Sequence, residues 1–330
     1  MIRSYAATAK KSILTPFEFT LPPLTDVDVV IAVKYCALCH SDIHLIDGDW
    51  GIAKYPLVPG HEIIGQIVQI GNKVAGFSEG QWVGVGWQSG SCGQCAPCTH
   101  GMEHLCVTGK KRTCVNGFGG LSEKVVIDSR FVYAIPDGFE LISAAPLMCA
   151  GLTVFSPLER LLLSDVQRVG VIGIGGLGHL AVQMAKAMGA EVYAFDSVSE
   201  KAKSAEVLGA IPLHDPKSAP PMNLILSTSS AQLDWNFWME RLDFNGVFCL
   251  VGYPPGDVAV ANDHLLDGQK SITGSVIGSP ATMRHMLQFC LRHSIRPHIE
   301  TMPFSRVNEA LDRVRAGKVN FRMVLENDWK

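Results

Sequence analysis

The chain has 330 residues, 47% of them hydrophobic and 18% charged, a length that suits about two domains and a mixture that excludes disorder over most of it. Its formal net charge of −3 gives no electrostatic case for nucleic acid or an anionic membrane surface as partner. The mean hydropathy of +0.19 requires membrane spans to be excluded segment by segment. The uncharged stretch 141–158 is broken by Pro146 and Pro157, and the stretch 169–185 holds five glycines with His179 and Gln183. Both read as buried segments, so no membrane partner is expected. The opening Met1-Ile2-Arg3-Ser4-Tyr5 lacks the apolar run of a leader, and a cytoplasmic setting is the expectation. In a reducing compartment, ten cysteines serve metal, catalysis or burial rather than disulfides.

Residues 25–85 read as β structure. Val27, Val29, Ile31 and Val33 alternate with Asp28, Val30, Ala32 and Lys34, the pattern of a half-buried strand, and Ile63–Gly71 is a second β-rich run. Residues 86–120 lose periodicity and are dense in Gly, Cys and polar side chains, so they read as a lobe held by something other than a core. Within it, Cys92, Cys95, Cys98 and Cys106 have C-x2-C-x2-C-x7-C spacing. Four thiolates at short spacing can wrap one tetrahedral Zn2+, and such a closed structural site orders a lobe that has little apolar material. An iron–sulfur cluster and a nucleic-acid-binding zinc ribbon, the latter beside Lys110-Lys111-Arg112, are the competing readings.

From about residue 150, strands alternate with helices. Arg168–Ile172 is a short apolar strand. Leu177, Leu180, Ala181, Met184, Ala185 and Met188 then share one helical face, with His179, Gln183 and Lys186 mostly off it. Glu191–Asp196 is a strand, Glu200–Leu208 a helix stopped by Gly209, and Leu224–Leu226 and Val247–Val251 are further strands. A helix over Val307–Ala316 and a strand over Phe321–Leu325 close the chain. The alternation implies a parallel sheet covered on both faces. Gly173-Ile174-Gly175-Gly176-Leu177-Gly178 fits G-x-G-x-x-G between a strand and a helix, the context in which that motif holds a dinucleotide pyrophosphate. Asp196 ends the next strand, eighteen residues after Gly178, where a carboxylate binds ribose hydroxyls and repels a 2′-phosphate.

Chemistry-bearing residues are also scattered through the first half: Cys39-His40-Ser41-Asp42-Ile43-His44, Gly60-His61-Glu62, and Cys149. Two Cys and one His are the ligand set of a catalytic zinc with an open fourth position, though their spacing alone does not group them. Gly60-His61-Glu62-Ile63-Ile64-Gly65 with Gly71 resembles the zinc signature of medium-chain alcohol dehydrogenases. The Cys39 strand end, the four-Cys lobe, Cys149 and the glycine turn follow in that family's order. The segments Tyr55-Pro56-Leu57-Val58-Pro59-Gly60-His61-Glu62 and Leu147-Met148-Cys149-Ala150-Gly151-Leu152-Thr153 are similar to its cinnamyl-alcohol-dehydrogenase-like branch.

That resemblance implies an α/β fold: a Rossmann doubly wound parallel-sheet domain inserted in a mostly β, GroES-like catalytic domain with a four-Cys zinc lobe. The catalytic domain would take residues 1–149 and 283–330, with its lobe at 88–112, and the dinucleotide domain 150–282. The active cleft would lie between the domains. Cys39, His61 and Cys149 would bind a catalytic Zn2+, the second of two zinc ions per chain. Glu62 would be an alternative or outer ligand, and Asp42 would hydrogen-bond a liganding histidine. Ser41 and His44 would relay the alcohol proton through the cofactor ribose. Gly173, Gly175, Gly176, Leu177, Gly178, Asp196, Ser197 and Lys201 would hold the nicotinamide cofactor, with Thr153 near the nicotinamide and Arg322 near the pyrophosphate.

The branch usually carries a small hydroxyl residue at position 196 and uses NADP. Asp196 departs from that pattern while Lys201 keeps it, and the closer carboxylate favours NAD over NADP. Trp50, Trp87, Val276 and Ile277 would give the substrate pocket an apolar or aromatic character. The expected activity is hydride transfer between a primary alcohol or aldehyde and a nicotinamide, in a homodimer or homotetramer. A polyol or sugar-alcohol dehydrogenase and a non-catalytic zinc-containing binding protein are the alternatives.

Overall fold

The computed structural model describes residues 1–162 and 167–329. The chain divides into two compact units, one of Met1–Cys149, Gly278–Leu291 and Arg296–Lys330, the other of Ala150–Ile277 and Arg292–Ile295. The chain returns to the first unit at Gly278, ahead of the expected 283, because a helix over Pro280–Arg292 begins there. Its Met283, Met286, Leu287 and Cys290 are buried, and a break at 283 would cut through that apolar face.

The first unit is built on a seven-stranded sheet among the described residues. Its strand order is Ile299–Pro303, Arg322–Glu326, Asp28–Leu38, Glu62–Ile70, Trp82–Val85 and Val132–Ala134, with Lys124–Asp128 also paired to Asp28–Leu38. The long central strand carries Val29, Ile31 and Val33 into the core as the alternation requires. Val27 does not join it: the strand starts at Asp28, opposite Asp128, and Val27 stays exposed. Val30, placed on the polar face by the sequence pattern, is buried as well. A register shift falls between Val30 and Ile31, so strict alternation across that point has no geometric basis.

Among the described residues, the second unit holds a six-stranded parallel sheet. Its order is Ile211–Pro212, Glu191–Phe195, Arg168–Ile172, Met222–Ser227, Leu242–Leu250 and Ser271–Gly274. Counted along the chain this is 3-2-1-4-5-6, the doubly wound order, which reverses direction beside Arg168–Ile172 and leaves a crevice there for a ligand. The helix after the glycine turn runs Gly178–Ala187. His179, expected off its apolar face, is fully buried, with its ring Nδ1 3.0 Å from the Gly175 carbonyl. The helix packs against Ala150–Leu161 as well as against the sheet, so more than one stripe of it is covered. Among the described residues, no single helix is long and apolar enough to cross a membrane.

Candidate active site

The strand Asp28–Leu38 ends at Cys39, which caps a short helix over His40–Asp47. Asp42, in the first turn of that helix, is fully buried and organises its surroundings by accepting three N–H groups. Its Oδ2 accepts the Cys39 amide at 3.0 Å, and its Oδ1 accepts the Gly60 amide at 2.9 Å and pairs with His61 Nδ1 at 2.9 Å. The Nδ1 of His61 therefore holds its proton towards Asp42, and Nε2, on the other side of the ring, is buried without a hydrogen-bond partner. Gly60 makes the approach possible. Its φ is 100°, and a Cβ there would lie 2.6 Å from Cys36 Sγ.

Cys149 follows a single 3-10 turn, Ala145–Met148. Its sulfur, Cys39 Sγ, a His61 nitrogen and a Glu62 oxygen all lie within 4.8 Å of one another. The hydrogen bond with Cys149, and then His61, hold the Cys39 thiol well below the ordinary thiol range. Burial pulls the His61 proton affinity down, but the Asp42 and Cys149 charges more than offset it and raise the ring well above the usual range. An imidazole braced in this way by a carboxylate is a stronger metal ligand. Two soft sulfurs, one unpartnered imidazole nitrogen and burial are the donor set that suits Zn2+.

Glu62 is fully buried and its carboxylate is paired with the Arg322 guanidinium. Burial pushes its pKa up to about 7, against the opposing pull of Arg322. Arg322, expected near a pyrophosphate, is thus 6% exposed and committed to Glu62, although the two residues are 260 apart in the chain. The Cys39 thiol donates to Ser41 Oγ at 3.6 Å, and His44 Nδ1 pairs with Asp49 Oδ2 at 2.8 Å. Aromatic rings link these groups. Trp87 meets the His61 ring edge-on at 4.8 Å and Trp50 at 6.1 Å, and Trp50 stacks on His44 at 5.1 Å.

Three contacts escaped the sequence reading. Asp49 lies five residues after His44, past the end of the helix His40–Asp47, where helical spacing announces no neighbour. Arg322 left no sign of its pairing with Glu62. Buried Cys114 lies against His61 and Asp42, with ligand atoms of the three within 4.8 Å, and no spacing announces it.

In the lobe, Cys92, Cys95, Cys98 and Cys106 bring their sulfurs within 4.8 Å of one another. The Cys95–Cys98 separation is 3.5 Å, and Cys92–Cys98 and Cys95–Cys106 are 3.9 Å. Sulfurs ~2.3 Å from a tetrahedral centre stand about 3.8 Å apart, so the four fit one Zn2+. Backbone amides of Cys95 and Gly109 point at Cys92 Sγ and Cys106 Sγ, each at 3.3 Å. The Thr108 hydroxyl and the backbone amides of Gln94 and Cys95 hold the Cys92 thiol down to about 5.

At the glycine turn, Gly173 has φ 87°, and a Cβ on Gly178 would lie 2.0 Å from the Gly173 carbonyl oxygen. A Cβ on Gly175 would meet nothing within 4 Å, so that position opens onto free space where a pyrophosphate can approach the backbone. Leu177 caps the helix that follows. Thr153 lies in the helix Ala150–Leu161, while Ser197 and Lys201 are exposed around the start of the helix Ser199–Val207. Val276 is exposed, whereas Ile277 is buried with φ 42°, a conformation unusual for a β-branched residue. Asp196 is turned inward: its Oδ2 accepts the Ile174 amide at 2.7 Å and its Oδ1 the Val198 amide at 2.9 Å.

Residues 25–137 match the family profile of the alcohol dehydrogenase GroES-like domain, and residues 176–292 that of zinc-binding dehydrogenases. The chain is 41% identical to an aldehyde reductase of Synechocystis over 99% of both chains. It is 38% identical to an NADP-dependent alcohol dehydrogenase of Mycolicibacterium smegmatis, over 98% of this chain and 97% of the other. Among solved structures it is similar to a cinnamyl alcohol dehydrogenase of Sorghum bicolor, at 33% identity and TM-score 0.93 over 98% of this chain and 97% of that one. It is also similar to the Helicobacter pylori CAD in complex with NADP(H), at 33% identity and TM-score 0.92 over the same shares.

The expected preference for NAD is corrected by two of these relatives, the alcohol dehydrogenase named NADP-dependent and the CAD solved in complex with NADP(H). The physical reason lies in Asp196. Both of its carboxylate oxygens are engaged by backbone amides, so it braces the glycine turn instead of meeting an incoming 2′-phosphate as a free charge. Fold, domain profiles and full-length relatives agree that the chain belongs to the zinc-dependent medium-chain alcohol dehydrogenases, in their cinnamyl-alcohol-dehydrogenase-like branch, and interconverts alcohols and aldehydes with a nicotinamide cofactor.

Proposed function

We propose that the chain is an NADP(H)-dependent reductase of apolar or aromatic aldehydes, with a catalytic zinc on Cys39, His61 and Cys149 and a structural zinc on the four lobe cysteines. The observation that carries this reading is the buried, unpartnered His61 Nε2 facing two cysteine sulfurs beside Trp87. Zinc held by Cys39, His61 and Cys149 would supply Lewis acidity there, and a bound nicotinamide would supply the hydride chemistry. The chain's own residues do the rest. Asp42 holds the proton on His61 Nδ1 and so fixes which nitrogen faces the ligand position. Ser41 can accept and donate a proton next to Cys39, and His44, braced by Asp49, can pass it onward. Trp50 and Trp87 give apolar surface beside these groups, which favours a flat apolar substrate over a polyol. Exposed Ser197 and Lys201 suit a 2′-phosphate.

All ten cysteines are free, which supports a reducing, cytoplasmic setting. The Ser271–Gly274 strand lies at the edge of its sheet, and association of copies as a homodimer or homotetramer belongs to the same proposal, to be read by light scattering.

Metal analysis of the purified protein and of Cys149→Ala tests the ligand set. We expect two zinc ions per chain in the first, and one with no aldehyde reduction in the second; a variant that still reduces aldehydes removes Cys149 from the site. Lys201→Glu is expected to lower kcat/KM with NADPH by about tenfold or more and to leave NADH turnover little changed. Equal loss with both coenzymes would refute the phosphate assignment.

A further inference from the structure

The first unit contains a cavity of about 580 Å3 that includes none of Cys39, His61, Glu62 and Cys149, and its volume falls within the range of small-molecule sites. One wall is apolar, formed by Leu21, Pro22 and the Phe19–Phe118 pair, whose ring centroids are 4.0 Å apart. Lys111, Lys124 and Arg130 also line the cavity. Arg130 is spent: its guanidinium holds Asp128 at 2.6 Å and the Ser91 carbonyl at 3.3 Å. Lys111 and Lys124 form no ion pair among the described residues.

The remaining acid in the walls, Asp28, is engaged by Thr25, whose hydroxyl donates to it at 2.6 Å. Two unpaired ammonium groups against one carboxylate leave the cavity net positive, in a chain whose overall charge is −3. The stem of Lys111 lies across Gly90, where a Cβ would come within 3.0 Å of it, so this lysine is laid along the wall by a residue that has no side chain.

We propose that this cavity is a binding site for an organic anion with a flat apolar body, such as an aromatic carboxylate or sulfonate. The ring would lie against Phe19 and Phe118, and the anionic head would pair with Lys111 and Lys124. Ser89, Gly90 and Ser91 line the cavity immediately before Cys92, so an occupant also ties down the entry to the four-cysteine lobe. The proposal stands apart from the assignment of the active site, because the two share no residue.

The test is fluorescence titration of 1-anilinonaphthalene-8-sulfonate into the zinc-loaded enzyme saturated with NADP+, which closes the nucleotide site to the probe. We expect one saturable site whose Kd rises about tenfold in Lys111→Ala/Lys124→Ala, with aldehyde turnover unchanged, and is restored by Lys111→Arg/Lys124→Arg. Phe118→Ala is expected to weaken binding independently of charge. Absence of saturable binding, or equal affinity in the double alanine variant, would overturn the assignment.

Discussion

At the scale of single residues, the site is ordered by Asp42. A buried carboxylate is tolerable only when its oxygens are satisfied, and here three N–H groups do this while drawing Cys39, Gly60 and His61 towards one point. Asp42→Asn keeps the shape but removes the charge that fixes the imidazole proton. Chelator competition is expected to show a 10–100-fold loss of affinity at the catalytic zinc, with the lobe zinc unaffected. An unchanged affinity would mean that Asp42 only closes the turn.

Legibility in the sequence follows the same physics. The glycine turn and the cysteine lobe are local, so their spacing is their geometry. Cys39, His61 and Cys149 meet only through the fold, and a resemblance was needed to group them. Asp196 is misread because, just past the strand Glu191–Phe195, its partners, the Ile174 and Val198 amides, depend on the exact path of the turn. Cys114 beside His61 and Arg322 beside Glu62 come from segments whose local pattern carries no trace of the meeting.

Among elements, the lobe is the least self-sufficient. Met102, Leu105 and Val107 point outward, so its large side chains build no interior, and the four sulfurs hold it instead. Cys106→Ser is expected to release the lobe zinc and to open residues 88–112 to limited proteolysis, while the six-stranded sheet stays resistant. Protection equal to the parent chain would show that the lobe folds without its metal.

The strand Ile299–Pro303 carries a pH-dependent tie of a different kind. Glu300 accepts the Asn320 amide at 2.7 Å and Arg313 at 2.5 Å, and these bonds, the amide first, hold its carboxyl below the ordinary range against the push of burial. A depressed folded-state value means stability that is fully present above the unfolded pKa, about 4.3, and is lost as pH falls through the lower folded value. The Tm difference between the parent chain and Glu300→Gln is therefore expected to be constant from neutral pH down to about 5 and to shrink below about 4. A difference that persists in acid would assign the effect to shape instead of charge.

For the whole molecule, the two units divide the chain unequally. The second is nearly continuous and brings its own core, with Phe195, Trp235, Trp238 and Phe248 in edge-on ring contacts, together with the entire glycine turn. The first is interrupted, and it needs residues after 295 to finish its sheet. The Arg322–Glu326 strand lies between Ile299–Pro303 and Asp28–Leu38, with Met323, Val324 and Leu325 fully or almost fully buried. Each such side chain contributes about 1.5–3 kcal/mol on burial. Loss of Arg322 would also strand the buried Glu62 carboxylate, at a cost of about 3–5 kcal/mol. Together these exceed much of the 5–15 kcal/mol that holds a domain folded. A chain ending at Ile295 is therefore expected to lose the catalytic zinc and its first-unit sheet, yet to keep cooperative unfolding of the second unit and NADPH binding, measurable by calorimetry and nucleotide fluorescence. Retention of the catalytic zinc in that truncated chain would contradict the central place given to the last strand.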